Sequence, residues 1–311
     1  MSRTRPAGRR IRVPALLLLV VALLSSGCGA VAADRDGIVV TTNILGDVTR
    51  NVVGDQAEIT VLMKPDADPH SFGISAQEAA RMERAGLIIH NGLGLEEGIG
   101  RNVRAAADVG TPEVAVGERV DPIPYVSGES GGAPDPHFWT DPLRVRDAAL
   151  LIAEEVVAHV DGVDPAAVRA NAERYAEEIT ALDADMTVSF AAITPERRTL
   201  VTNHHVFGYL AQRYDFEVVG AVLPSGTTLA SPSASDLSGL ADTIRGAGVP
   251  TIFADSSQPD RLARVLAEQA GVDVEVVPLF SESLGGPGSG AETYLDLMRS
   301  NTVAIGEGLQ N

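Results

Sequence analysis

The chain has 311 residues and a formal net charge of −18, with 42 acidic residues against 24 Lys and Arg. This balance excludes nucleic acid as a natural partner, because binding to a phosphate backbone requires a basic surface. The sequence contains one cysteine, which excludes an intrachain disulfide and argues strongly against a thiolate metal site.

Residues 1–27 are typical of a secretory signal peptide. Five arginines precede an apolar run over 15–24 that is too short to span a bilayer comfortably. Residues 24–28, Leu-Ser-Ser-Gly-Cys, are similar to a bacterial lipobox, although Ser25 departs from the usual leucine. We predict a lipid anchor on Cys28 at the outer face of the membrane, the alternative being a chance cysteine near the cleavage site. Cleavage there leaves 284 residues with a charge of −23, enough for two domains.

The next part of the chain predicts a first α/β lobe over 34–162. Strands are predicted over the apolar stretches 38–42, 58–63, 87–90 and 113–116. Helical stretches separate these strands, and Ser75 is predicted to be the N-cap of one of them, over 75–84. Continuous apolar strands separated by helices favour a parallel sheet that is covered on both faces. Residues 117–136 are predicted as a loop, and a helix follows from 142 to about 160.

A long helix is predicted over 163–194. Asp164 and Pro165 are a strong helix start, with aspartate as the N-cap and proline in the first turn. Apolar residues then recur every three or four positions from Val168 to Ile193, which is the period of one helix face. A helix of about 28 residues is about 40 Å long, so it can join two lobes at a nearly fixed angle.

The α/β pattern restarts after this helix and predicts a second lobe over 195–311. Strands are predicted over 199–202, 217–222, 251–254 and 274–277, and a last helix over 292–309. The predicted fold class is therefore α/β, with two similar lobes that contain parallel sheets and are joined by one long linking helix.

Three histidines and one glutamate are predicted to form a metal site. His70, His137, His204 and Glu282 each follow a predicted strand or end the loop before a helix. Ligands of open α/β sheets bind at the carboxyl ends of the strands, so the four side chains are expected to meet between the lobes. Three imidazoles and one carboxylate form a complete tetrahedral shell for a cation such as zinc.

Two further residues are candidates for a supporting role. Asp255 also follows a predicted strand, and it is either a rival to Glu282 or a group that orients an imidazole. His205 adjoins His204 and is either a supporting residue or an alternative ligand. For any one histidine beside a proline, an ordinary surface turn is the commoner explanation, but four residues at equivalent positions in two lobes favour a site.

Several segments of the chain resemble the cluster A-I substrate-binding proteins of zinc and manganese ABC importers, the ZnuA/TroA-like family. The similar segments are 64–72, 91–96, 135–142, 202–209 and 280–283, with Thr293, Tyr294 and Asn301 beyond them. They cover essentially all of the mature chain in the family order. The resemblance implies that His70, His137, His204 and Glu282 are the ligands, and that the protein delivers its metal to a permease in the membrane. Many relatives carry Asp in place of Glu282, and the histidine-rich loop of zinc-specific members is absent from 117–135.

The ligand set favours zinc as the transported ion, with manganese as the alternative. Magnesium and calcium prefer shells made of oxygen, whereas a glutamate beside the imidazoles leaves manganese open. A zinc hydrolase is a weaker alternative, because catalytic zinc keeps a position for water and the sequence lacks a His-Glu-x-x-His motif. A lipid-anchored surface adhesin is a further alternative. We expect an extracytoplasmic monomer that is not an enzyme.

Overall fold

A computed structural model describes residues 1–2, 4, 37–125, 132–223, 225–271 and 274–310. The predicted lipid anchor at Cys28 and nearly all of the predicted signal peptide lie outside the described residues. Both sheets lie within one compact unit, Asp36–Asn311. Among the described helices, none combines the length and the apolar character needed to cross a bilayer.

The first sheet has four parallel strands in the order β2-β1-β3-β4. The strands are β1 Ile38–Val40, β2 Ile59–Val61, β3 Leu87–His90 and β4 Glu113–Ala115. The helices that follow them are α1 Asn43–Val53, α2 Ala76–Arg84, α3 Gly100–Asp108 and α4 Val116–Arg119. Ser75 is the N-cap of α2, as the sequence predicted, and it also forms a reciprocal capping box with Glu78. The central strand β1 is fully buried, which explains its unbroken apolar sequence.

The predicted loop 117–136 differs from the structure at its start, because α4 continues to Arg119. Gly117 makes this helix possible, since its amide donates to the carbonyl of Asn91 at 2.8 Å. A Cβ at this position would lie 2.8 Å from the same carbonyl oxygen, so only glycine allows the close approach. Tertiary contact therefore overrides the low helix propensity of the segment.

A single long helix follows the first lobe, as predicted. The short 3₁₀ turn Phe138–Thr140 and helix α5 Pro142–His159 lead into α6 Pro165–Ala191, which has 27 residues. Asp164 accepts a hydrogen bond from the amide of Ala166 and caps the first turn. One face of α6 is buried, with apolar side chains at Val168, Ala172, Tyr175, Ile179, Leu182, Met186 and Phe190. This spacing is the one that identified the helix in the sequence.

The second sheet repeats the topology of the first, with parallel strands in the order β6-β5-β7-β8. The strands are β5 Thr199–Thr202, β6 Glu217–Ala221, β7 Thr251–Asp255 and β8 Glu275–Leu279. The helices are α7 Gly208–Tyr214, α8 Ala234–Ala247, α9 Arg261–Ala270 and α10 Tyr294–Gln310. Strand β8 extends past its predicted end and includes Pro278, which is tolerated because β8 is an edge strand. The two similar α/β lobes are thus confirmed.

One hydrophobic core runs through both lobes. It includes Leu45 of α1, Tyr175 of α6, Leu210 of α7 and Leu297 of α10. A smaller core around Ile252 is confined to the second lobe and lies beneath α8 and α9. This main core continues from one lobe to the other without a break that would mark a boundary. The domain limits 34–162, 163–194 and 195–311 therefore stay predictions.

Candidate metal centre

His70 lies in the loop after β2. The tripeptide Asp-Pro-His at 68–70 forms a turn that fixes the backbone of His70. The amide of His70 donates to Asp68 Oδ1 at 2.9 Å, which is the side-chain turn expected of an aspartate two residues earlier. The His70 side chain is almost completely buried. Its Nδ1 has no hydrogen-bond partner among the described residues, so the ring is positioned through the backbone.

His137 repeats this tripeptide and this turn, but its ring is anchored as well. The amide of His137 donates to Asp135 Oδ1 at 2.9 Å, and Nδ1 lies 2.7 Å from the same oxygen. Nδ1 therefore carries the proton, and the lone pair of Nε2 is directed away from Asp135. Asp135 is itself held, since its carbonyl accepts a hydrogen bond from the hydroxyl of Tyr209 at 2.7 Å. Sequence reasoning missed this role of Asp135, although the repeated Asp-Pro-His was a signal for it.

The other two predicted residues come from the second lobe. His204 follows β5 and is fully buried, and its carbonyl accepts a hydrogen bond from Thr202 Oγ1 at 2.7 Å. Glu282 follows β8 and is buried to the same degree. Both positions lie just beyond the carboxyl end of a strand, as the sequence predicted for ligands of an open sheet.

Side chains of the first lobe hold the Glu282 loop on both sides of the glutamate. Trp139 Nε1 donates to the carbonyl of Ser281 at 2.8 Å. Asn43 Nδ2 donates to Ser283 Oγ at 2.7 Å, and Asn43 Oδ1 accepts from the amide of Leu284 at 3.0 Å. The glutamate is therefore fixed against the first lobe although it belongs to the second.

The structure brings the four predicted side chains into one cluster. Their potential ligand atoms all lie within 4.8 Å of one another. His137 Nε2 lies 3.5 Å from His70 Nε2 and 3.4 Å from His204 Nε2. Glu282 Oε1 lies 3.1 Å from His204 Nε2 and 3.6 Å from His137 Nε2, and Oε2 lies 3.6 Å from His70 Nε2. Three imidazole nitrogens and two carboxylate oxygens thus converge on one small volume.

Burial shifts the protonation of every group in this cluster towards the neutral form. Desolvation lowers the pKa of His70 to about 4, and it also lowers the pKa of His137 and His204. Desolvation raises the pKa of Glu282 well above its ordinary value. It raises the pKa of Asp135 to about 7, against the lowering effect of the hydrogen bond from the His137 amide. Without a bound cation, burial therefore favours neutral imidazoles and the protonated form of the Glu282 carboxyl group.

The two further candidates lie outside the cluster. Asp255 accepts hydrogen bonds from the Ser257 amide at 2.7 Å and from the hydroxyls of Ser257 and Ser281. Asp255 therefore fixes serines beside the Glu282 loop, and the expectation that it orients an imidazole differs from the structure. His205 is half-buried beside a cavity of about 650 Å³ that Asp135 also lines. Neither residue belongs to the group of ligand atoms described above.

Comparisons with known proteins give one consistent result. Residues 38–308 match the family described as "Zinc-uptake complex component A periplasmic". The chain is 29% identical over 300 residues to the manganese-binding lipoprotein MntA of Halalkalibacterium halodurans, covering 94% of this chain and 97% of the relative. It is also 29% identical over 294 residues to the iron-binding protein YfeA of Yersinia pestis, with 94% and 92% covered.

Solved structures agree with this result. The periplasmic zinc-binding protein TroA from Treponema pallidum superposes with a TM-score of 0.79 at 28% identity, covering 88% of this chain and 99% of the other. A manganese-bound periplasmic metal-binding protein from Candidatus Liberibacter asiaticus superposes with a TM-score of 0.73 at 27% identity, with the same coverage. The likeness extends over both lobes and the linking helix.

Proposed function

We propose a specific role for the buried cluster of this chain, which belongs to the zinc-uptake complex component A (ZnuA) family. The protein is a metal-binding, extracytoplasmic component of an ABC transporter and not an enzyme. His70, His137, His204 and Glu282 capture one divalent ion between the two lobes. The protein then delivers this ion to a permease in the membrane.

The observation that best supports this role is the environment of the Glu282 carboxylate. Both oxygens are buried and lack a conventional hydrogen-bond donor among the described residues, while three imidazole nitrogens face them. Ionising this buried carboxyl group without a partner would be costly, and a divalent cation would offset that cost. Binding would stabilise the ionised form of Glu282 and use the lone pairs that neutral imidazoles present.

The spacing of the nitrogen and oxygen atoms supports zinc as the transported ion. Tetrahedral zinc with bonds of about 2.0–2.1 Å requires ligand atoms about 3.3–3.4 Å apart. Five distances within the cluster, 3.1–3.6 Å, lie around this value, and all four ligand atoms lie within 4.8 Å of one another. A set of three imidazoles and one carboxylate is also an established type of zinc shell.

Manganese remains the second candidate because of one feature of Glu282. Its two oxygens face different histidines, Oε1 towards His204 and Oε2 towards His70, so both oxygens can bind one ion. A fifth ligand with oxygen character suits manganese, which prefers more oxygen than zinc does. The relative MntA is named as manganese-binding and YfeA as iron-binding, whereas TroA is named as zinc-binding.

The proposal includes attachment to the outer face of the membrane through Cys28 and action as a monomer. Several relatives are named as lipoproteins, and some of these as lipoproteins of metal ABC transporters, which supports the lipobox interpretation of residues 24–28. A lipid anchor would keep the protein near its permease without a spanning helix.

The test is metal analysis of the purified protein, followed by competitive titration of the chelator-treated protein with zinc and manganese. We expect one equivalent of zinc, bound more tightly than manganese and lost in His204→Ala. Preference for manganese would retain the site and change the ion. Absence of stoichiometric binding to either metal would refute the proposed function.

A further inference from the structure

We propose that Asp68 is a positioning residue that ties the loop of His70 to the second lobe and thereby slows release of the ion. This inference rests on the proposed function, because it takes His70 as one of the residues that hold the metal. It concerns how the ion is retained.

The need for such a residue follows from the ring of His70. Histidines that bind metal ions usually donate their second ring nitrogen to a fixed acceptor, as His137 does to Asp135. His70 Nδ1 has no such partner among the described residues. The position of His70 therefore depends on its backbone, and the backbone amide is held by Asp68 Oδ1 at 2.9 Å.

The second oxygen of Asp68 joins the two lobes. Asp68 Oδ2 accepts hydrogen bonds from Thr228 Oγ1 at 2.6 Å and from Gln258 Nε2 at 3.2 Å. Thr228 follows β6 and Gln258 follows β7, so both donors belong to the second lobe. The same oxygen accepts a third hydrogen bond, from Ser71 Oγ at 2.9 Å, within its own loop.

One carboxylate is thus shared between the His70 backbone and the opposite lobe. Hydrogen bonds to an ionised acceptor are stronger than neutral ones, and these are partly shielded from solvent. For the ion to leave, His70 must withdraw, and its loop cannot move far while Thr228 and Gln258 hold Asp68. Opening of the lobes and release of the ion are therefore coupled through this residue.

The experiment compares two variants that each remove one donor to the same oxygen. Thr228→Val keeps the side-chain shape and removes the donor from the second lobe, whereas Ser71→Ala removes the donor from within the loop. Zinc-loaded protein is mixed with excess chromogenic chelator, and the dissociation rate is recorded by stopped flow. We expect Thr228→Val to accelerate release about tenfold, the effect of losing one hydrogen bond to a charged group. Ser71→Ala should stay within about twofold of the unchanged protein.

Gln258→Ala supplies a second variant on the side of the other lobe, and it should also accelerate release. Unfolding of the metal-free proteins checks that each variant retains its fold. Equal release rates for Thr228→Val and the unchanged protein, or equal acceleration by Ser71→Ala and Thr228→Val, would overturn the role of Asp68 across the lobes. Either result would leave the proposed function intact, since that function fails only if the unchanged protein binds no metal.

Discussion

The two Asp-Pro-His segments, 68–70 and 135–137, show how one tripeptide serves two purposes. In both, the aspartate accepts the histidine amide at 2.9 Å, so the local turn is the same. Asp135 also accepts the ring nitrogen of His137 at 2.7 Å. Asp68 instead directs its second oxygen to Thr228 in the opposite lobe. Identical local sequences thus give the same backbone turn but different side-chain partners.

The surroundings of the two segments explain the difference. The segment after His137 is the buried turn Phe138–Thr140, and burial leaves the Asp135 carboxylate few partners except its own imidazole. The segment after His70 is largely exposed, at Ser71 and Gly73, and the carboxylate of Asp68 can reach across to the other lobe. Asp68 thus links the turn of His70 to the second lobe, whereas the contact between Asp135 and the His137 ring is almost completely buried.

The largest expected effect is the loss of zinc affinity when either His70 or His137 is replaced. It tests whether the two histidines are equivalent as ligands. His70→Ala and His137→Ala each remove one of three imidazoles from the proposed site. We expect each to weaken zinc binding more than about 100-fold, beyond the 10–100-fold range typical of residues that only support a ligand. Competition with a chelator of known affinity measures the loss. Retention of full affinity by either variant would remove that histidine from the ligand set.

A smaller effect tests the anchoring of His137 by Asp135. Asp135→Ala removes the acceptor for Nδ1 and for the amide, so the ring loses its preferred tautomer and orientation. We expect about 10–100-fold weaker zinc binding with one equivalent retained. Glu118→Ala, which removes an exposed acid of α4, is the matched control and should bind normally. Comparable losses in both variants would point to general electrostatics instead.

The pH dependence of binding separates the carboxylates from the histidines. The pKa of His70 is lowered to about 4, so its imidazole stays neutral from pH 8 to pH 6 and does not compete with the metal. Burial raises the pKa of Glu282 well above its ordinary value and that of Asp135 to about 7, so both carboxyl groups take up protons at a higher pH than exposed acids do. We expect affinity to fall by up to about tenfold per pH unit for each proton displaced.

Calorimetry in buffers of different ionisation enthalpy measures the protons released on binding. Glu282→Gln keeps the size of the side chain but cannot ionise, and it should release fewer protons while binding zinc more weakly. Release of an equal number of protons by Glu282→Gln and by the unchanged protein would contradict the raised pKa of Glu282 in the metal-free protein.

The smallest expected effect is a loss of stability when the aromatic residue two positions after either histidine is replaced. Trp139→Phe removes the hydrogen bond to the Ser281 carbonyl, which joins the lobes beside Glu282. We expect the free energy of unfolding of the metal-free protein to fall by about 1–2 kcal/mol. Denaturant unfolding measures this change. Phe72→Leu is the comparison after His70, and because Phe72 packs only at the edge of a small core, its effect should be smaller.

Much of the fold was predictable because local sequence decides it. The apolar period from Val168 to Phe190 and the Asp-Pro start determine α6 within about one turn. Continuous apolar strands such as β1 and β3 identify a parallel sheet, and the same pattern in the second half predicts the second lobe. One departure was α4, in which Gly117 is helical because of a contact with Asn91 that the local sequence does not reveal.

The sequence alone also selected the four residues of the cluster, because the carboxyl ends of parallel strands meet at one edge of each sheet. Only the tertiary structure decided how they are held. Asn43 fixes Ser283 from 240 residues away, and Asp68 reaches Thr228 over 160 residues. Asp135 and Asp255 are both acids near the predicted site, but only one touches an imidazole. Such contacts depend on how two lobes pack against one helix, and periodicity within a segment contains no information about distances between segments.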